Sequence, residues 1–410
     1  MLLFIGTNIL LYLIGKKILK NAWISLILCF ISSLSIAGIQ AALFLRMYQL
    51  VQLEILGFLY WHIQKRKKEL TLKDLIPLYL LATISFLTHY YVYLVAAVLY
   101  LLYAIYRIKE KDFKNLGKYT ATLIASGLTS LVIFPYAIEH IFMGYRGKGL
   151  VQELLGGANI FEKLGEYARL FQEEVLNNYG WGILIIVVIL YIMYRFIKTR
   201  RKCNKQEVAE KVEPEIWYVV FPMVVYLGII ILGSPYQDFR YIIPIIPLVF
   251  IFLTWLVNRC LRGIFCENEK VVIPILVILA IVFVIPTFPA VTHNRYSYLT
   301  EKETLQQIRE QYQDLPCILS YEVTGPNYNT SMRCYEALCT FSKTYILDNT
   351  QISRQKLEEI LEKEDVTNGI AMIAWLDRPD ELIKTAMATG KFREQKLIGK
   401  MGNYQIFIVK

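Results

Sequence analysis

The amino-acid sequence predicts a polytopic α-helical membrane protein with a small C-terminal α/β domain. Three observations carry this: an apolar composition, repeated apolar runs of bilayer length, and basic residues gathered in alternate links between those runs. Of 410 residues, 56% are hydrophobic and 19% charged, with mean hydropathy +0.42. Soluble chains hold nearer about 45–50% apolar residues even with glycine counted, so the excess must face lipid. A hydrocarbon core about 30 Å thick takes ~20 apolar residues as a helix. A helix also satisfies its own backbone hydrogen bonds there.

Apolar runs place about ten spans near 2–14, 22–39, 47–63, 76–88, 90–106, 119–138, 180–197, 216–233, 241–257 and 271–290. The run from Ile76 to Tyr106 is well over the length one helix needs and is divided at Thr88-His89-Tyr90. The net charge of +10 would suit nucleic acid, but the basic residues lie in short links rather than on one soluble face, which excludes that partner class. One set of links holds Lys16, Lys17 and Lys20; Lys65 to Lys68 and Lys73; Arg107 to Lys118; Lys198 to Lys211; and Arg259 with Arg262. The positive-inside rule assigns these links to the cytoplasm. The opposite set is poor in basic residues: Arg46, then Arg146, Lys148, Lys163 and Arg169, then Arg240. This set faces outward with the C-terminal domain, making a multi-pass cell-membrane protein with an extracytoplasmic tail.

From about Val291 the pattern changes to that of a soluble domain, dividing the chain into 1–290 and 291–410. Helices are expected over Glu301 to Tyr312, Arg354 to Glu362 and Pro379 to Ala388. Strands are expected over Cys317 to Tyr321, Gly369 to Leu376, Gln395 to Ile398 and Tyr404 to Val409. No glycine-rich phosphate loop occurs in this region. The seven cysteines form no CxxC pair and have no nearby histidines, so no metal ligands are assigned. Cys317, Cys334 and Cys339 lie in the outer domain, where an oxidising compartment permits a disulfide and burial as thiols is the ordinary alternative.

The outward span ends hold the residues suited to chemistry, because polar groups near lipid are costly. Arg46, beside Tyr48, offers a planar fork of donors for a phosphate; as an interfacial arginine it would reach for lipid headgroups instead. Thr88-His89-Tyr90-Tyr91 places His89 where it suits a substrate hydroxyl or plain packing. Phe134-Pro135-Tyr136 leads through Glu139 to Gly144-Tyr145-Arg146-Gly147, a turn into an outward loop. Residues Asn159 to Asn178 form an amphipathic stretch suited to the membrane surface. In Ser234-Pro235-Tyr236-Gln237-Asp238-Phe239-Arg240-Tyr241, Asp238 either pairs with Arg240 or leaves it for an anionic headgroup, with Tyr236 and Tyr241 alongside.

In this order, Arg46-Met47-Tyr48, Thr88-His89-Tyr90, Phe134-Pro135 with Gly144-Tyr145-Arg146-Gly147, and Ser234-Pro235-Tyr236 with Arg240-Tyr241-Ile242-Ile243-Pro244 resemble the GT-C superfamily of membrane glycosyltransferases. The likeness is to family 39 protein mannosyltransferase-like members and spans residues 1–290. The resemblance implies transfer of a sugar from a polyprenyl-phosphate donor to a glycan, lipid or protein acceptor on the outer face. Its substrate-binding candidates are Arg46, Tyr48, His89, Tyr90, Tyr145, Arg146, Tyr236, Arg240 and Tyr241. It fixes no cofactor, and a divalent metal is compatible with holding the phosphate. The family's acidic first outer loop has no counterpart here, leaving Glu139 and Asp238 as substitute bases. That gap, with the outward Met1 that ten spans require, makes an N-terminally truncated and catalytically impaired chain the expectation. A flippase or transporter of lipid-linked saccharides, or a noncatalytic scaffold, are the alternatives; transport calls for midplane charge and repeated halves, whereas the spans are nearly free of buried charge, with Glu54 the main exception, and show no repeat.

Overall fold

The computed structural model describes residues 2–43, 47–136, 160–179, 182, 189–194, 214–234, 237–292, 299–321, 339–348, 354–375, 379–401 and 404–410. The chain divides into two units, Met1–Ala290 and Val291–Lys410.

The first unit is helical. Its early helices are α1 (Leu2–Ile18), α2 (Ala22–Leu34), α3 (Ile36–Leu43), α4 (Tyr48–Lys65), α5 (Leu72–Thr88), α6 (Tyr90–Lys109) and α7 (Phe113–Ile133). They are followed by α8 (Ile160–Leu170), α9 (Trp217–Gly233), α10 (Ile246–Ile264), α11 (Glu269–Val284) and the short α12 (Thr287–Thr292). Five helices among the described residues are long and apolar enough to cross a membrane: α6, α7, α9, α10 with its 3-10 lead-in, and α11 extended to Pro289. The pair α2 and α3, bent by 67° at Ser35, makes a sixth if it counts as one broken span. Helices α1 and α5 are 17 residues each, and α4, buried on most of its circumference, includes the polar Gln49, Gln52, Glu54 and His62 among its buried residues. The long run breaks at His89, whose φ of −165° is extended, and the bent second span is a break the apolar pattern does not announce.

Links between helices are knotted by hydrogen bonds at the basic end of the bundle. Asn21 Oδ1 caps α2 by accepting from Trp23 and Ile24 at 2.9 and 3.1 Å, and its amide donates to Glu269 at 3.1 Å. Thr71 and Asp74 form a capping box on α5. Arg66 pairs with Glu215, and Arg107 pairs with Asp112 while donating to the Lys68 carbonyl. One turn inward, His62 is fully buried among Trp61, Tyr103, Tyr119 and Tyr218, its Nε2 3.1 Å from the Tyr119 hydroxyl. At the opposite end, Asn177 adopts φ 53°, a left-handed conformation asparagine tolerates better than most residues. Its Oδ1 accepts from Ile36 N, the first amide of α3, at 2.9 Å, and its amide donates to the Phe283 carbonyl at 2.7 Å. One buried side chain thus ties the α2–α3 bend to the end of α11.

The second unit is a five-stranded sheet with helices on both faces. Its elements are α13 (Leu299–Gln311), β1 (Pro316–Tyr321), β2 (Lys343–Asp348), α14 (Arg354–Lys363), β3 (Ile370–Trp375), α15 (Pro379–Ala388), β4 (Gln395–Met401) and β5 (Tyr404–Val409). The strand order is β2-β1-β3-β5-β4, parallel across β2, β1 and β3 and antiparallel through β5 and β4. Alternation along each strand sends Cys317, Leu319, Ala371 and Ile373 to a core with Leu305 and Ile308 of α13. Ile318, Ile370, Met372 and Ala374 go to a second core under α14 and α15. The expected helices and four of the strands are present to within a few residues; β2 is additional.

Two outcomes test these contacts. Asn177→Ala leaves the Ile36 amide without its acceptor in a buried position, which costs about 1–3 kcal/mol. The thermal midpoint of the purified variant in detergent is expected below that of the native chain; equal midpoints would show the bend is held otherwise. In the second unit, Lys343 donates to Glu364 at 2.5 Å and Tyr345 donates to the same oxygen, and the Lys343 bond above all holds that carboxyl below its ordinary 4.5. A carboxyl depressed by folding stabilises above the unfolded-state value and loses that contribution as pH falls through the lower folded value. Hydrogen-exchange protection of β2 is therefore expected to decline below about pH 4.5 in the native chain and to decline less steeply in Glu364→Gln.

Candidate functional site

The end of the bundle opposite the basic links is built from three places where helices stop. The first is the start of α4 at Tyr48. The second is the α5–α6 break, where Thr88 ends one helix and the His89 ring caps the next: His89 Nδ1 accepts from Tyr91 N at 3.2 Å. That bond leaves the ring proton on Nε2. The third is the link from Ser234 to Ile246, with 3-10 turns over Phe239–Tyr241 and Ile243–Ile245.

These places meet in a chain of rings. Tyr48 lies 6.1 Å from His89, His89 4.2 Å from Tyr91, and Tyr91 5.7 Å from Tyr241, centroid to centroid. Tyr226 of α9 packs edge-on to Tyr91 at 6.0 Å and donates its hydroxyl to the Tyr241 carbonyl at 2.9 Å. All five are buried. Gln52 of α4 donates to the Ile243 carbonyl at 2.7 Å, fixing the link against α4. At the rim, the Arg240 guanidinium stands 5.4 Å over the Tyr241 ring, and its Nε pairs with Asp238 at 3.3 Å. The other Asp238 oxygen accepts from Arg240 N at 2.9 Å, capping the first 3-10 turn. Of the two readings the sequence allowed for this link, the geometry has Asp238 and Arg240 joined to each other. Asp238 is accordingly engaged twice, a poor setting for a base that must release and take protons.

Helix α8 closes one side. Lys163 donates to the Ser234 carbonyl at 2.8 Å and Tyr167 to the Ser234 hydroxyl at 2.8 Å. Burial pushes the Tyr167 phenol up to about 12, against a smaller lowering by Ser234, so it stays a neutral donor. The apolar Ile160, Phe161 and Leu164 of the same helix are exposed. The amphipathic stretch therefore turns its polar pair toward the bundle.

Of the sequence-derived candidates, Tyr48, His89, Arg240, Tyr241 and Asp238 come together here. Tyr90 opens α6, with its side chain outside the described residues; Arg46, Glu139, Tyr145, Arg146 and Tyr236 also lie outside them. Tyr226, Lys163 and Tyr167 join the site without having been singled out for it. Tyr226 has no local signal, since its partners are remote in sequence, whereas a lysine on the inward side of an amphipathic helix was a readable clue. Among the described residues no cluster of three or more His, Cys, Asp or Glu side chains could hold a metal ion. No protein-family model matches the chain, and no curated protein matches it.

Because His89 serves as a helix cap, its two roles separate by substitution. His89→Asn keeps an acceptor for Tyr91 N, while His89→Ala removes it and costs about 1 kcal/mol. Thermal unfolding should rank native and Asn variants together above Ala; a stable Ala variant would mean the ring, not the cap, is what the position supplies.

Proposed function

We propose that this chain is a GT-C-like membrane glycosyltransferase that takes a sugar from a polyprenyl-phosphate donor at the end of the bundle carrying Tyr48, His89 and Arg240. The observation supporting this reading is the convergence of these residues with Tyr241. They come from three separated segments and form one continuous run of rings ending in a guanidinium. Aromatic faces suit the apolar faces of a sugar. An arginine suits the phosphate that departs. In the reaction, an acceptor hydroxyl gives its proton to a carboxylate base and its oxygen bonds the anomeric carbon. The bond to phosphate breaks, and the polyprenyl phosphate leaves with the electron pair, its charge met by Arg240 and Arg46. Glu139 is the candidate base, since Asp238 is held by Arg240, and Tyr90, Tyr145, Arg146 and Tyr236 complete the proposed binding set.

The reading carries its topology with it. Adding α1, the α2–α3 pair, α4, α5 and the apolar sequence run 180–197 to the five long apolar helices gives about ten spans. The basic links then lie in the cytoplasm, and this end and the C-terminal unit face outward. A transporter of lipid-linked saccharides is the second reading, favoured by buried Glu54 beside the C-terminal end of α5.

Transfer from a radiolabelled polyprenyl-phosphate sugar by the purified chain in proteoliposomes tests the choice. Arg240→Ala and Arg46→Ala should each lower turnover by about 10²-fold, with His89→Ala also reduced. Unchanged transfer in all three would remove the site assignment. Movement of the labelled lipid between leaflets without transfer would establish the transporter instead.

A further inference from the structure

Glu54 lies in α4, six residues after Tyr48, which places it about 9 Å further along the helix. Its side chain is 2% exposed, at a depth where an ionised group without compensation is expensive. Among the described residues no lysine, arginine or histidine pairs with it. Its surroundings are hydroxyls. Thr88, the last residue of α5, lies 2.8 Å from Oε1. The Ser85 hydroxyl, fully buried one turn earlier on α5, faces the same carboxyl but falls outside hydrogen-bonding geometry. Tyr93 of α6 packs edge-on at 5.1 Å against Phe86, the neighbour of Ser85 on α5. Three oxygen atoms, Glu54 Oε2, Ser85 Oγ and Tyr93 Oη, are buried with no hydrogen-bond partner. They come from three different helices. Beside them α5 ends at Thr88, and a helix C-terminus carries partial negative charge on its last carbonyls.

This arrangement has oxygen donors, one formal negative charge and a helix terminus of the same sign. We infer that it is a binding site for one monovalent cation of the sodium type. Hard oxygen ligands select hard ions, and a single carboxylate balances a single charge, so a divalent ion would leave a positive charge buried. A water molecule would satisfy the three orphaned atoms but not the charge. The bound ion would join α4 to the α5–α6 break and so set Tyr48 against His89. The inference does not depend on the transfer reaction, because its readout is binding.

The test uses the full chain in nanodiscs with radioactive sodium and a scintillation-proximity readout. Saturable binding of one ion per chain is expected, competed by excess NaCl but not by choline chloride or MgCl2. Glu54→Gln should abolish it, and Ser85→Ala should lower affinity by about tenfold or more. If Glu54→Gln does not yield a monodisperse protein, Ser85→Ala, a smaller change in a helix interior, carries the test. Absence of saturable binding, equal competition by magnesium, or undiminished binding in the variants would each overturn the assignment. So would stabilisation of the native chain by acid alone with no response to sodium, which would make the compensating charge a proton.

Discussion

The first unit depends on one constraint: where a helix is interrupted within an apolar bundle, the amides and carbonyls it releases must be met by side chains, because no water is there to meet them. Each interruption here has its own answer. At Ser35 the next helix starts on Asn177, with Gly38 N donating to the Ser35 hydroxyl at 3.0 Å. At His89 the ring itself accepts the amide, and at Ser234 the groups reach across from α8. Buried polar side chains thus stand at each of these breaks, and the breaks are where distant segments meet. Chemistry-bearing side chains gather at that end for a structural reason before any functional one.

Proline shows the same logic from the other side. Pro77, Pro222 and Pro274 each lie inside a helix, yet α5, α9 and α11 continue through them. Each is the sixth residue of its helix, past the first turn, so each removes a single amide, the one that would meet the carbonyl of Lys73, Tyr218 or Lys270. Serine and histidine interrupt helices here more effectively than proline does, because each carries an atom able to take over a backbone bond.

This explains how far the sequence could be read. Apolar runs, alternating basic links and the division at His89 were legible because they are local patterns. The bend at Ser35 was not, since its support, Asn177, is remote in sequence. Strand β2 escaped because it lies at an edge, with Ile346 exposed, so burial leaves a weak imprint on its sequence. Within the candidate site, Tyr48, His89 and Arg240 stood out as polar groups at span ends. Tyr226 did not, because a tyrosine in an apolar helix becomes significant only when the Tyr241 carbonyl is known to sit above it. Glu54 was visible as a buried charge, but its hydroxyl companions on two other helices were not.

The sheet order has a consequence for how the second unit is made. Strand β5 follows the other four in the chain yet occupies an interior place, between β3 and β4. As the ribosome delivers the chain from its N-terminal side, β1, β2 and β3 can align while the far side of β3 stays open. Strand β4 has no neighbour at all until β5 emerges. Assembly thus runs out of step with synthesis, and the bare margin of β3 is a stretch of unpaired backbone lined by Ile370, Met372 and Ile373. A stall in translation before residue 404 would leave that margin available to any other extended chain.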